Sequence, residues 1–378
     1  MSFLSLPVLY AVPAFIVVLT VIVFVHEMGH YLVARWCGIA IQTFSLGFGP
    51  EIVGFNDRHG TRWKISVIPL GGYVRFVGDM NAASMPDPEL VAALPAAEQK
   101  RLFVNKNVWQ RIAVVVAGPA SNVIFTFVVL YGLLLSYGQY VVPPVISDVS
   151  WGSVAMRAGL LPGDRIESVD GFSVRSFGDF QQFVETAPGR PVTIVLDRDG
   201  VSRTITLTPD IARDTDRFGN GRRVGRIGVM RTVEQSDVTL YRPNPVEAVG
   251  MTGDQIRFIV DRTVAFLGDF FVGRGDPEQL GGPVKVAKVS GEVATLGVVA
   301  LINLAALLSL NIGIFNLLPV PVLDGGHLLY YIIEAARRRP LSQRAQELGY
   351  RVGFAIVGTL MIFTLLNDTL LEALRHVS

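Results

Sequence analysis

The chain has 378 residues, half of them hydrophobic and 17% charged, where an ordinary soluble domain carries about 25% charged residues. A formal net charge of +1 gives no global basic field, so nucleic acid is excluded as an expected partner. The single cysteine, Cys37, excludes a disulfide framework within the chain and reads as a small filler residue at a helix end. The charge deficit is local. Long uncharged runs alternate with stretches of soluble composition, which is the pattern of a polytopic α-helical membrane protein.

Four segments are long and apolar enough to span a bilayer, which takes about 20 residues each. They run from near Val8 to Val33, from Val108 to Tyr137, from about Val293 to Leu318 and from Val352 to Leu371. The loop after the first carries Arg35, Arg58, Arg62, Lys64, Arg75, Lys100, Arg101 and Lys106, and the link before the last carries Arg337, Arg338, Arg339 and Arg344. The positive-inside rule makes both loops cytoplasmic. Both termini and the long insert between the second and third spans are then expected to face outward. Four regions follow: 1–137, 138–230, 231–292 and 293–378.

Region 138–230 reads as a small, mainly-β domain. Val145 to Val149 is expected as a strand and Phe177 to Thr186 as a helix. Val192–Leu196 and Ser202–Leu207 alternate around Asp199-Gly200, a strong hairpin signal. The string Ala158-Gly159-Leu160-Leu161-Pro162-Gly163-Asp164-Arg165-Ile166 resembles a PDZ domain of the kind found in envelope proteases. That resemblance implies a peptide or protein ligand bound by strand addition. From Pro245 to Arg274, apolar positions such as Val249, Ile256, Ile259 and Phe270 alternate with charged ones. This stretch looks like an amphipathic helix lying at the membrane surface; the alternative is a soluble helix packed on the PDZ-like domain.

The chemistry centres on His26-Glu27-Met28-Gly29-His30, an H-E-x-x-H motif. On a helix, positions i and i+4 share a face, so both imidazoles can reach one metal, with Glu27 beside them as the general base. Only five histidines occur in the chain, which makes a chance match rare. Charged groups cost at least a few kcal/mol at a bilayer centre, so three ionisable residues in one apolar helix point to a buried polar site. A catalytic zinc needs three protein ligands and an open position. The best third ligand is Asp324, which follows two helix-breaking prolines, Pro319 and Pro321, at the end of the third span. His327 is a rival ligand, ranked behind it because two histidines and a carboxylate already complete the set. His59 and His376 read as surface residues.

H-E-x-x-H in the first span, with N-x-x-P-x-P-x-L-D-G from Asn316 to Gly325, resembles the site-2 protease family of intramembrane metalloproteases, in particular its bacterial regulator of sigma-E protease branch. The resemblance covers essentially the whole chain. Pro69-Leu70-Gly71-Gly72-Tyr73-Val74 resembles the family's membrane-associated β-hairpin loop. Gly118-Pro119-Ala120-Ser121-Asn122 resembles its G-x-x-x-N motif, where small residues permit close helix approach, and Gly281-Gly282-Pro283 resembles its entry to the third span. The resemblance implies a Zn2+ cofactor, and single-span membrane proteins cut within the bilayer, such as an anti-sigma factor or a signal-peptide remnant. It further implies a multi-pass place in a bacterial inner membrane, with the insert and both termini periplasmic. Asn311 and Asn316 would hydrogen-bond the substrate backbone, unless they serve helix–helix contacts, and Gly71, Gly72, Tyr73 and Val74 would pair with a substrate strand. The chain departs from the pattern in one respect: its insert has room for a single PDZ domain where relatives that cleave anti-sigma factors often carry two. A catalytically silent scaffold and a metal transporter are the rival readings. The intact Glu27 and Asp324 argue against the first, and the convergence of ionisable groups on one site argues against the second.

Overall fold

Uncharged helices satisfy their own backbone hydrogen bonds, as a lipid-embedded segment must. Among the described residues, four helices are long and apolar enough to cross a membrane: Ala11–Trp36, Val108–Tyr137, Val298–Asn316 and Arg344–Leu366. The computed structural model describes residues 6–79, 94–215, 221–232, 237–272 and 281–375. His376 and the expected helix end at Arg274 lie outside the described residues. The chain divides into two compact units, one made of residues 1–129 and 281–378, the other of residues 130–280.

The first unit begins with α1 (Leu6–Trp36), followed by two long strands, β1 (Ile41–Asn56) and β2 (Arg62–Phe76), and by α2 (Val108–Tyr137). β2 bends so that β1 pairs with it along three stretches. Ile41–Leu46 takes Gly72–Phe76 as one partner and Arg62–Ile65 as the other, and Glu51–Asn56 also pairs with Arg62–Ser66. The motif glycines Gly71 and Gly72 therefore sit within β2, and the hairpin turn lies at Asp57–Gly60. Ile52, Val53, Phe55, Ile65 and Val67 are exposed on this sheet. A core of Tyr31, Ala34, Ile39, Ile41, Phe44, Val74, Phe76, Phe103, Val114 and Val115 fastens the sheet to α1 and α2.

The insert forms the second unit. It contains β3 (Gln139–Val141), β4 (Asp148–Val149), α3 (Val154–Ala158), β5 (Arg165–Val169), β6 (Phe172–Ser173), α4 (Phe177–Glu185), β7 (Val192–Arg198), β8 (Val201–Leu207), β9 (Asp210–Thr215), β10 (Gly221–Arg226), β11 (Val229–Met230), β12 (Thr239–Tyr241) and α5 (Pro245–Phe271). The main sheet has the order β6-β5-β7-β8. Asp199 and Gly200 both take positive φ at the β7–β8 turn, as the Asp-Gly pair requires of a tight hairpin. Ser176 and Asp179 form a capping box at the start of α4. The strand expected over Val145–Val149 is shorter, with only β4 and a single bridge from Val145 to Arg165. β12 pairs with β3, which ties the two ends of the β region together.

The reading of α5 as a membrane-surface helix is corrected over its middle. Phe258 joins the insert's core, meeting the rings of Phe172 and Phe183. Arg257 lies over Phe172, and Arg190 and Asp269 form an ion pair at 2.5 Å. This face is already packed against the insert and cannot also lie in lipid.

After the insert come α6 (Pro283–Thr295), α7 (Val298–Asn316), α8 (Asp324–Arg337) and α9 (Gln343–Arg375). The third span starts later than the hydropathy suggests. Gly297, at φ +109°, adopts a conformation that side-chain-bearing residues avoid and separates α6 from α7. The fourth starts earlier, at Arg344 instead of Val352, because Arg344, Glu347 and Arg351 continue the same helix. Val18 and Ile22 of α1 pack on Ala305 of α7, and Thr126 of α2 donates to Ala306 O at 2.8 Å.

Candidate metal centre and active site

The i, i+4 spacing places His26 and His30 on one face of α1, with their Nε2 atoms 3.3 Å apart. Asp324 reaches the same point from a different part of the chain. α7 ends at Asn316, and the Pro319–Leu323 loop turns the backbone before α8 begins at Asp324. Val322 sits in that loop at φ +110°, a strained conformation for a β-branched residue. Gly325 and Gly326 let the loop fold back on α8, since a Cβ on either would fall within 2.1 Å of Leu318 O or 2.5 Å of Val320 O respectively.

Asp324 Oδ2 lies 3.0 Å from His26 Nε2 and 3.4 Å from His30 Nε2. This oxygen is buried yet has no hydrogen-bond partner. Ligands about 2.0–2.1 Å from a tetrahedral zinc stand roughly 3.3–3.4 Å apart. The three atoms thus occupy three corners of such a tetrahedron to within a few tenths of an ångström, and the donor set suits zinc. The far side of one ring agrees: His30 Nδ1 donates to Val114 O at 2.8 Å, which leaves its Nε2 with a lone pair to offer. Gly118 provides the space, because a Cβ there would come within 2.3 Å of His30 Nε2.

A cavity of about 320 Å3 opens at this cluster. Glu27 lines it beside the two histidines. Gly71, Gly72, Tyr73 and Val74 all line the cavity, as do Asn316 and His327. Asn311 is not among the lining residues. His327 stands apart from the converging triad, with its ring 3.3 Å from Tyr350 Oη. His59 is exposed in the hairpin turn. On one edge the Gly72–Phe76 stretch pairs with β1, and among the described residues its other edge has no strand partner.

The hairpin is tethered through Asp57, whose part the sequence did not reveal. Tyr31 Oη and Trp63 Nε1 donate to one of its oxygens, and the His59 and Thr61 backbone N–H groups to the other. Burial pushes the Asp57 carboxyl up, but these four hydrogen bonds outweigh it and hold the group below the usual carboxylate range. Asn122 was also missed as a neighbour of the metal ligands: its amide stands 3.2 Å from His26 Nδ1. The available signal was an amide side chain in the middle of an apolar helix, four residues after a glycine.

Comparison with known proteins agrees with this geometry. The peptidase family M50 profile matches residues 14–360. A provisionally named zinc metalloprotease of Mesorhizobium japonicum is 50% identical over 355 residues, covering 94% of this chain and 97% of the relative. Metalloprotease MmpA of Caulobacter vibrioides is 37% identical, with 93% of each chain covered. Regulator of sigma-E protease RseP of Salmonella typhimurium is 30% identical, covering 96% of this chain and 99% of the relative. Four apolar helices, a donor set suited to zinc and a family match over most of the sequence lead to one conclusion: the chain belongs to peptidase family M50, and it is an intramembrane metalloprotease with a zinc cofactor.

Proposed function

We propose that His26, His30 and Asp324 hold the zinc, that Glu27 is the general base, and that the chain hydrolyses peptide bonds within the membrane segments of single-span proteins. When bound, zinc polarises the scissile carbonyl and makes water a stronger acid. Glu27 takes the proton from the attacking water and passes it to the leaving amine. The edge of Gly71–Val74 without a strand partner accepts the substrate as an added strand. That step matters because a helical substrate hides its peptide bonds in its own hydrogen bonds. Asn316 hydrogen-bonds the extended substrate backbone from the opposite wall of the cavity. Asn311, earlier on α7, serves the substrate backbone in the same way. The observation that carries the reading is the meeting of the Asp324 carboxylate and two imidazoles beside an unpaired strand edge.

The likeness to a regulator of sigma-E protease supports regulated intramembrane proteolysis, with an anti-sigma factor or a signal-peptide remnant as substrate. It also supports a bacterial inner-membrane location with the insert and both termini periplasmic. The alignment with that relative runs over 461 positions against the 378 residues here, so at least 83 positions have no counterpart. This fits one PDZ-like domain in place of two. Within the insert, an open cavity of about 490 Å3 lined by Val141, Ile166, Val174, Arg175 and Tyr241 offers apolar and charged contacts to a peptide ligand. The test is to reconstitute the chain in liposomes with a single-span substrate lacking its ectodomain and to map the product ends by mass spectrometry. Cuts inside the apolar segment, abolished by a zinc chelator, support the reading. Cuts confined to the flanking soluble residues contradict it.

A further inference from the structure

Asn122 is wholly buried on α2. It follows Gly118 by four residues and so shares its helix face. Its position is fixed on both sides. Thr126 Oγ1 donates to Asn122 O and to Ala306 O, each at 2.8 Å, and Gly313 of α7 packs so closely that an added Cβ would stand 3.2 Å from Asn122 Cβ.

The amide nitrogen of Asn122 faces His26 Nδ1 at 3.2 Å, and its Oδ1 is buried without a hydrogen-bond partner. The two ends of a side-chain amide exchange by a half-turn, so chemistry must decide which end faces the ring. If the nitrogen faces it, the amide donates to Nδ1 and the ring proton must sit on Nε2. That is the atom aimed at Asp324 and His30, and a protonated Nε2 has no lone pair for a metal. If the oxygen faces it, Nδ1–H donates to Oδ1 and Nε2 is free to ligate. His30 already has this second arrangement through Val114 O. The half-turn only moves the unpartnered buried position from the carbonyl to the amino end, so the needs of the ring make the choice.

We infer that Asn122 is a positioning residue for the metal centre, with its side-chain carbonyl accepting from His26 Nδ1–H to hold the ring in the ligating tautomer. Partners of this kind, behind a ligating histidine, orient the ring and raise its basicity. The inference rests on His26 being a zinc ligand. It also accounts physically for both ends of the G-x-x-x-N string, since Gly118 makes room for the imidazoles and Asn122 sets the proton on one of them.

The test uses the full-length chain in detergent, with zinc affinity measured by chelator competition and the cobalt-substituted form read by its visible absorption. Asn122→Leu removes the acceptor and should weaken zinc binding by about 10- to 100-fold. Asn122→Asp keeps an acceptor and discards the donor, so it should bind zinc close to wild type and show the wild-type cobalt spectrum. Wild-type affinity in Asn122→Leu would overturn the inference. So would a loss in Asn122→Asp as large as that in Asn122→Leu, and the aspartate variant decides alone if the leucine variant does not fold. His26→Ala separates the two levels of the account: undiminished zinc binding there would instead refute the ligand assignment beneath this inference.

Discussion

Gly72 lies directly against Glu27: a Cβ on Gly72 would stand 3.2 Å from Glu27 Cγ and 2.7 Å from both Val23 Cγ1 and Ser45 O. The strand edge proposed to receive substrate is thereby pressed onto the helix that carries the base. Gly72→Ala should force the two apart while leaving the three proposed metal ligands in place. The expected result is near-stoichiometric zinc with cleavage lowered on the order of 100-fold, as a misplacement near 1 Å can cause. Metal analysis alongside an initial-rate assay checks both halves.

Gly118 makes the opposite prediction. The Cβ of Gly118→Ala would come within 2.3 Å of His30 Nε2 and 3.0 Å of His26 Cε1, so the rings must rotate out of ligating position. Zinc affinity should fall by roughly 10- to 100-fold, and activity with it. Chelator competition separates this variant from Gly72→Ala, which keeps its metal.

Asp324 and His327 lie one helical turn apart at the start of α8, and both line the cavity. Asp324→Ala removes a group that converges with the two imidazoles and should lower both zinc content and turnover. His327→Ala removes a ring that faces Tyr350 and should leave zinc content near wild type. The reverse order in a metal assay would exchange the two assignments.

In the insert, the Asp164 carboxylate is wholly buried and takes two charge-assisted hydrogen bonds from Arg198, at 2.6 and 2.7 Å. Burial pushes its carboxyl up, but the Arg198 guanidinium and the Leu161 N–H outweigh it and hold the group below the ordinary range. A depressed folded-state pKa adds stability that is present above the unfolded value, about 3.9, and is lost as pH falls below it. Thermal unfolding of the insert in the full chain should therefore weaken below about pH 4. Asp164→Ala removes the acceptor of the Arg198 and Leu161 bonds, while Arg198 keeps its bond to Gly159 O, and should cost about 1–3 kcal/mol at neutral pH, while zinc content stays unchanged.

The parts of this site set by local periodicity were legible in the sequence. His26, Glu27 and His30 follow from helical spacing, and Asp324 from the prolines that end an apolar run. The Asp199-Gly200 hairpin and the second span also lie where the sequence places them. What escaped depends on contacts between distant segments. Ile41–Asn56 alternates too weakly to announce a 16-residue strand, because its first residues are paired on both edges while its second half lies mostly exposed. Gly297 reads as one more small residue in an apolar run until its positive φ breaks the helix. Phe258 looks like part of a lipid-seeking stripe until the Phe172 and Phe183 rings meet it. Asn122 and Gly118 suggest close helix packing, but only the fold shows that the metal ligands are what α2 packs against.

The most direct test of the central claim is zinc content and turnover measured together on purified Glu27→Gln. The account makes Glu27 a base that touches no metal, so the variant should hold near-stoichiometric zinc and show no cleavage of the reconstituted single-span substrate. Wild-type turnover from this variant would contradict the assignment of the base, and loss of zinc with loss of turnover would contradict the division of labour between Glu27 and the triad of His26, His30 and Asp324.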